Sequence, residues 1–272
     1  MLAALLSGCM QLFFHPQRTL VDTPQRHGIE YRTDEFRAAD GAKLNAWFLP
    51  ARTGNGGKAK GTVLFLHGNA ENISTHFLSV AWMPGEGFNA LIFDYRGYGD
   101  SEGVPSLAGM QLDIDAAMRH LVEDPAIDPD RIVVYGQSLG GALAIAYVAH
   151  SAYRSHIRAV VIDSAFSDYR LIVRQKLAST WLTWPLQWLP WMTVDDTYSP
   201  AASVASISPL PLLLLHGDKD EVVPFEHSQM LFELARDPKE LWIVPGAGHT
   251  ESVASEAVRK RLVAYLVRHT SD

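Results

Sequence analysis

A mostly parallel β-sheet covered by helices on both faces is the fold that this 272-residue chain predicts, and three observations carry that prediction. Apolar runs of strand length recur along the chain and alternate with helix-forming stretches. The runs are continuous rather than alternating with polar residues, as strands buried on both faces are. A Gly-x-Ser-x-Gly pentapeptide, Gly136-Gln137-Ser138-Leu139-Gly140, lies between one such run and a small-residue helix. With 47% hydrophobic residues, the chain can fill one large α/β core.

The elements follow in order. Gln11 to His27 is punctuated by prolines and reads as an extended leader over the domain surface. Residues 1–28 therefore form an apolar start plus leader, and 29–272 one domain. Glu30 to Ala39 and Lys43 to Leu49 read as a hairpin, because Asp40-Gly41 supplies the positive φ of a tight turn. After a Gly/Lys loop from Arg52 to Lys60, Thr62 to Leu66 is the first buried strand. A helix is expected within Asn72 to Glu86, a strand at Phe88 to Phe93 and a helix from Ser106 to Glu123. The remaining core strands are Arg131 to Tyr135, Ile157 to Ile162, Pro211 to Leu215 and Leu241 to Val244, with a helix from Gly141 to His150.

One stretch breaks the alternation. From Ser167 to Ser208 lie about 40 residues without a core strand. They include Trp181, Trp184, Trp188 and Trp191 among prolines. The stretch reads as an aromatic-rich insertion, expected to act as a lid with Trp181, Trp184 and Trp188 meeting the substrate. Packing on its own domain and contact with lipid are the competing roles.

Bulk properties exclude several classes. A net charge of -7 leaves no basic footprint for nucleic acid. No stretch reaches the roughly 18 apolar residues of a spanning helix. Cys9 is the only cysteine, which excludes an intramolecular disulfide framework and a cysteine-based metal cluster. Metal ligation by His and Asp is also disfavoured, for want of a helical His-x-x-x-His pair or a compact carboxylate cluster.

The pentapeptide has the context of a nucleophile turn, in which a serine is raised above the sheet edge on a strained strand-to-helix corner. Such a serine needs a base, a carboxylate to orient the base, and donors for an oxyanion. His249, presented by Gly246-Ala247-Gly248 just after the last strand, is the expected base. His67 and His216 each stand in a strand-ending His-Gly pair and are expected to fix loop geometry. For the acid, Asp218 and Asp220 compete in the loop after Leu215, with Asp163 as a third candidate. Asp220 lies further into its loop and better suits a side chain reaching sideways, whereas Asp218 suits a turn residue bonding local backbone. The oxyanion donors are expected to be the backbone N–H groups of Leu139 and Asn69, with the positions mattering more than the side chains. The dense motif Asp94 to Ser101 carries Arg96 as its one cation and reads as a tight strand-exit loop held by Arg96 and Asp94.

Together, the His67-Gly68-Asn69 loop, the Asp94 to Ser101 motif, the Ser138 pentapeptide, Asp220 and His249 resemble the alpha/beta-hydrolase superfamily from Glu30 to the C-terminus. Phe14-His15-Pro16-Gln17-Arg18, Asp163-Ser164-Ala165-Phe166 and Gly246-Ala247-Gly248-His249 look like its abhydrolase-domain branch of small, often membrane-tethered serine hydrolases. The resemblance implies Ser138 as nucleophile, His249 as base and Asp220 as orienting acid, with an inserted lid and no cofactor. With the Trp-rich insertion, the expected reaction is hydrolysis of a carboxylic ester or thioester with an apolar acyl part. A peptidase, or a non-catalytic envelope lipoprotein that binds through the same fold, are the rivals.

Leu6-Ser7-Gly8-Cys9 resembles a bacterial lipobox, which implies lipidation of Cys9 and a membrane-anchored place in the cell envelope, with a cytoplasmic protein as the alternative. The apolar run before it is shorter than a signal peptide requires. Either translation starts upstream of Met1, or Leu2 to Leu12 is an apolar helix.

Overall fold

The computed structural model describes residues 13–54 and 57–271; Cys9 and the apolar run before it lie outside the described residues. Eight strands form the main sheet: β1 (Arg32–Arg37), β2 (Lys43–Leu49), β3 (Thr62–Leu66), β4 (Asn89–Phe93), β5 (Ile132–Gln137), β6 (Ile157–Asp163), β7 (Leu212–Gly217) and β8 (Lys239–Val244). Their spatial order is β8-β7-β6-β5-β3-β4-β2-β1. The β1–β2 and β2–β4 pairs are antiparallel and all other pairs are parallel. The expected mostly parallel sheet is therefore present, with the hairpin closing one edge.

The continuous apolar runs have the expected cause. Alternate residues of β3 serve two separate cores: Leu64 and Leu66 pack on one face of the sheet, Val63 and Phe65 on the other. The first core is closed by α1 (Leu107–Glu123) and α2 (Leu139–His150), the second by α5 (Glu256–Thr270) and the helical turns of 73–86. Helix α2 is buried from Leu139 to Val148, which explains why its residues are small and apolar all round. Ser106 caps α1 by accepting the Gly109 N–H.

The helix expected within 72–86 is broken into three single turns, Ile73–His76, Phe77–Ser79 and Met83–Glu86. Asn72 caps the first turn, while Pro84, Gly85 and a left-handed Gly87 end the last. Between β6 and β7 the chain forms α3 (Tyr169–Ala178) and four further single turns. Helix α4 (Glu226–Leu234) connects β7 to β8.

The leader docks on the loop after β3. His15–Pro16 pairs in parallel with Ala70–Glu71, and the Asn72 side chain donates to the carbonyls of Gln17 and Thr19. Phe13 stands edge-on to Phe166 and Tyr169, at ring separations of 6.2 and 5.9 Å. The C-terminal ends of β3, β5, β6, β7 and β8 thus gather their loops along one edge of the sheet, where ligands bind in open α/β folds.

Candidate active site

Ser138 occupies the single residue between β5 and α2, with φ 53° and ψ -119°. A non-glycine residue in that conformation carries strain of about 1–3 kcal/mol, which its surroundings must hold. Two of those surroundings explain the pentapeptide. A Cβ on Gly136 would overlap the Gly140 carbonyl, and one on Gly140 would overlap the Leu66 carbonyl at the end of β3. The Ser138 N–H donates to the Asp163 carbonyl at 2.9 Å, tying the corner to β6.

The corner aims the hydroxyl at His249. Ser138 Oγ lies 3.0 Å from His249 Nε2, and His249 Nδ1 lies 2.8 Å from Asp220 Oδ2. With Asp220 ionised, Nδ1 carries the proton and Nε2 is left to accept from the serine. The His249 side chain is 21% exposed, so the cluster opens to solvent.

Asp220 is held by more than His249. Its Oδ1 accepts the backbone N–H groups of Val222 and Val223 at 2.9 and 2.8 Å. Its Oδ2 lies 3.2 Å from His216 Nε2, which also donates to the Val223 carbonyl while Ser228 serves Nδ1. Burial alone would push this carboxyl up. Hydrogen bonds from His216, His249 and Val223 outweigh burial and hold it well below the usual carboxylate range, so Asp220 is charged.

The rival acids are engaged elsewhere. Asp218 Oδ1 accepts the Gly246 N–H at 2.6 Å, so its bond crosses to the loop that carries His249 instead of staying within its own turn. Asp163 is fully buried and bonded to Ser252 Oγ at 2.6 Å and Gln137 Nε2 at 2.9 Å; burial pushes its carboxyl up.

The loop after β3 passes beside the serine: a Cβ on Gly68 would sit 3.7 Å from Ser138 Cβ. Burial pushes His67 and His76 below the ordinary imidazole range and keeps them neutral. His67 Nδ1–H then donates to the Gly68 carbonyl and His76 Nε2–H to the Ala70 carbonyl, both at 2.8 Å. The Asn69 side chain is more than a placeholder. Its Oδ1 accepts from Tyr98 Oη at 3.0 Å and from the His15 N–H at 3.3 Å, and its Nδ2 donates to the Phe13 carbonyl. Leu139, as the first residue of α2, has an N–H without an intrahelical acceptor, at the positive end of the helix.

The motif after β4 is structural, as its residues suggested. Arg96 is bound by Asp113 and Asp40, Asp94 Oδ1 accepts the Ile73 N–H, and Ser101 Oγ donates to the Asp94 carbonyl. Sequence reasoning missed the tie from Asp218 to Gly246 and the leader's grip on Asn69, because each joins loops far apart in the chain.

Trp181, Trp184 and Trp188 are not enclosed with the Ser138 cluster. They stand 84%, 62% and 58% exposed on the insertion. Among the described residues no group of His, Cys, Asp and Glu could hold a metal ion, and no helix is long and apolar enough to cross a membrane.

A family profile described as Serine aminopeptidase, S33 matches residues 57–206. YfhR of Escherichia coli (strain K12) is 37% identical over 236 residues, covering 86% of this chain and 79% of YfhR. YNL320W of Saccharomyces cerevisiae, named a membrane protein, is 31% identical over 88% of this chain and 80% of its own length. Among solved structures, the Pyrococcus furiosus esterase Pf2001 superposes with a TM-score of 0.74 and 26% identity, over 94% of this chain and all of that one.

Proposed function

The chain belongs to the S33 family of alpha/beta hydrolases, and from that premise we propose that it is a serine hydrolase cleaving carboxylic esters or thioesters through an acyl-enzyme. The observation that carries the reading is the continuous path from Ser138 Oγ through His249 to Asp220, at 3.0 and 2.8 Å. Ser138 attacks the carbonyl carbon as its proton passes to His249 Nε2. Asp220 keeps Nδ1 protonated and stabilises the imidazolium that forms. The N–H groups of Leu139 and Asn69 receive the oxyanion. The proton on Nε2 then goes to the leaving oxygen or sulfur, and water activated by the same nitrogen releases the acid and restores Ser138.

The insertion at 167–208 acts as the lid in this reading, with Trp181, Trp184 and Trp188 reaching the acyl part when it bends over the site. Lipidation at Cys9 places the enzyme at the bacterial envelope membrane. The yeast relative's description as a membrane protein supports a membrane setting.

Peptide hydrolysis is the second reading, favoured by the family's description as serine aminopeptidase. Parallel assays with p-nitrophenyl esters of graded acyl length and with aminoacyl p-nitroanilides separate the two. Ester turnover that is lost in Ser138→Ala is the expected result. Turnover of the anilides alone would move the assignment to a peptidase, and turnover of neither, with no modification of Ser138 by a fluorophosphonate probe, would leave a binding protein.

A further inference from the structure

Among the described residues, fifteen large hydrophobic side chains are exposed, and seven of them fall between Trp181 and Met192. Four are tryptophans, including Trp191 at 51% exposure. So dense a cluster is uncommon on a protein surface that meets only water. The charge around it is equally uneven. In a chain of net charge -7, residues 169–194 carry Arg170, Arg174 and Lys176 and no acidic residue. The acids that flank this stretch are occupied at its root: Asp168 caps α3 through the Leu171 N–H, Asp195 accepts from Thr197, and Asp196 accepts from Ser199 Oγ.

We infer that the stretch from Trp181 to Met192 is a docking surface for an anionic lipid bilayer. Indole rings favour the interfacial layer, where the ring is embedded and its N–H stays hydrated. Lysine and arginine beside them are drawn to anionic headgroups. Arg174 already lies over the Trp191 ring at 5.6 Å, so a cation and an indole are presented together. A second copy of this chain fits less well, because a symmetric contact would bring two sets of Arg170, Arg174 and Lys176 together with no acidic residue within 169–194 to meet them. Phe13, the first described residue, packs on Tyr169 at the start of α3. The surface supplies a membrane contact in addition to the proposed lipidation at Cys9, and lasting attachment generally takes two such signals.

The inference does not depend on the hydrolase reading, since binding is measured without turnover. The test uses the full chain carrying Cys9→Ser, which cannot be lipidated at that position. Flotation is measured with vesicles of phosphatidylcholine alone and of phosphatidylcholine with phosphatidylglycerol, alongside quenching of tryptophan emission by brominated lipid. Binding to the anionic vesicles with quenched emission is expected. Trp181→Ala/Trp184→Ala should lower partitioning at least about tenfold with the melting temperature unchanged, and Lys176→Glu should weaken binding to the anionic vesicles selectively. No binding by the Cys9→Ser chain would overturn the inference. So would partitioning of the tryptophan pair variant equal to its parent, which would assign the membrane contact to the N-terminal run. A self-association abolished by the pair, without vesicle binding, would assign the surface to a second copy.

Discussion

His216 and His249 converge on one oxygen: Asp220 Oδ2 lies 3.2 Å from His216 Nε2 and 2.8 Å from His249 Nδ1. His216 is fully buried and spans from Ser228 to the Val223 carbonyl, so it fixes the carboxylate from the side away from the solvent. His216→Leu should therefore lower both stability and kcat, the first by about 1–3 kcal/mol because buried partners lose their bonds. Turnover should fall about tenfold or more, with KM little changed. Unfolding curves and steady-state kinetics on the same preparation read both effects.

Asp218 and Asp220 should separate by their chemistry. Asp220→Asn leaves His249 in the wrong tautomer and should cost roughly a thousand- to ten-thousandfold in kcat. Asp218→Asn keeps an oxygen for the Gly246 N–H and should stay close to wild type. Asp218→Ala removes that acceptor and should loosen the loop carrying His249, with an intermediate loss of kcat.

A methyl group at Gly140 has nowhere to go, because the Leu66 carbonyl fills the space. Gly140→Ala should destabilise the fold by about 1–3 kcal/mol or more. It should also displace the Ser138 corner. Thermal unfolding measures the first effect and labelling of Ser138 by a fluorophosphonate the second.

Stability should depend on pH through Asp94. Burial pushes its carboxyl up to about 7. The folded state then keeps a proton that the unfolded chain releases near pH 3.9, so Asp94 makes stability fall as pH rises from about 4 to about 7. Asp94→Asn should flatten that slope in urea unfolding series. Asp113 and Asp163, also raised by burial, act in the same direction and should leave part of it. Asp220 has the opposite sign: its carboxyl is held low, so its contribution is present above about pH 4 and is lost as pH falls further.

Exposed indoles can be removed at little cost to the fold. Trp184→Ala/Trp188→Ala should shift kcat/KM between short and long acyl esters while leaving the melting temperature within a few degrees. Unchanged kinetics with a lowered melting temperature would reduce these residues to packing.

Much of the architecture was legible in the sequence, because residues such as Val63 to Leu66 must satisfy two cores and so read as one apolar run. The approach of Ser138, Asp220 and His249 could be anticipated from strand order, since each follows a strand that ends on the same edge. Segment 73–86 was harder: its apolar residues suited one helix, but it forms three single turns, the last of them ended by Pro84, Gly85 and Gly87. Contacts that depend on which loops become neighbours were not legible. Asp218 meets Gly246 only because β7 and β8 lie side by side, and Asn69 meets Phe13 and His15 only because the leader pairs beside Ala70.

The most direct measurement is mass spectrometry of the protein quenched during turnover of a p-nitrophenyl ester, followed by peptide mapping, for wild type and Ser138→Ala. An acyl adduct on the peptide containing Ser138, absent from Ser138→Ala together with turnover, is the expected result. Turnover that persists in Ser138→Ala, or an adduct on a different residue, would contradict a mechanism centred on Ser138.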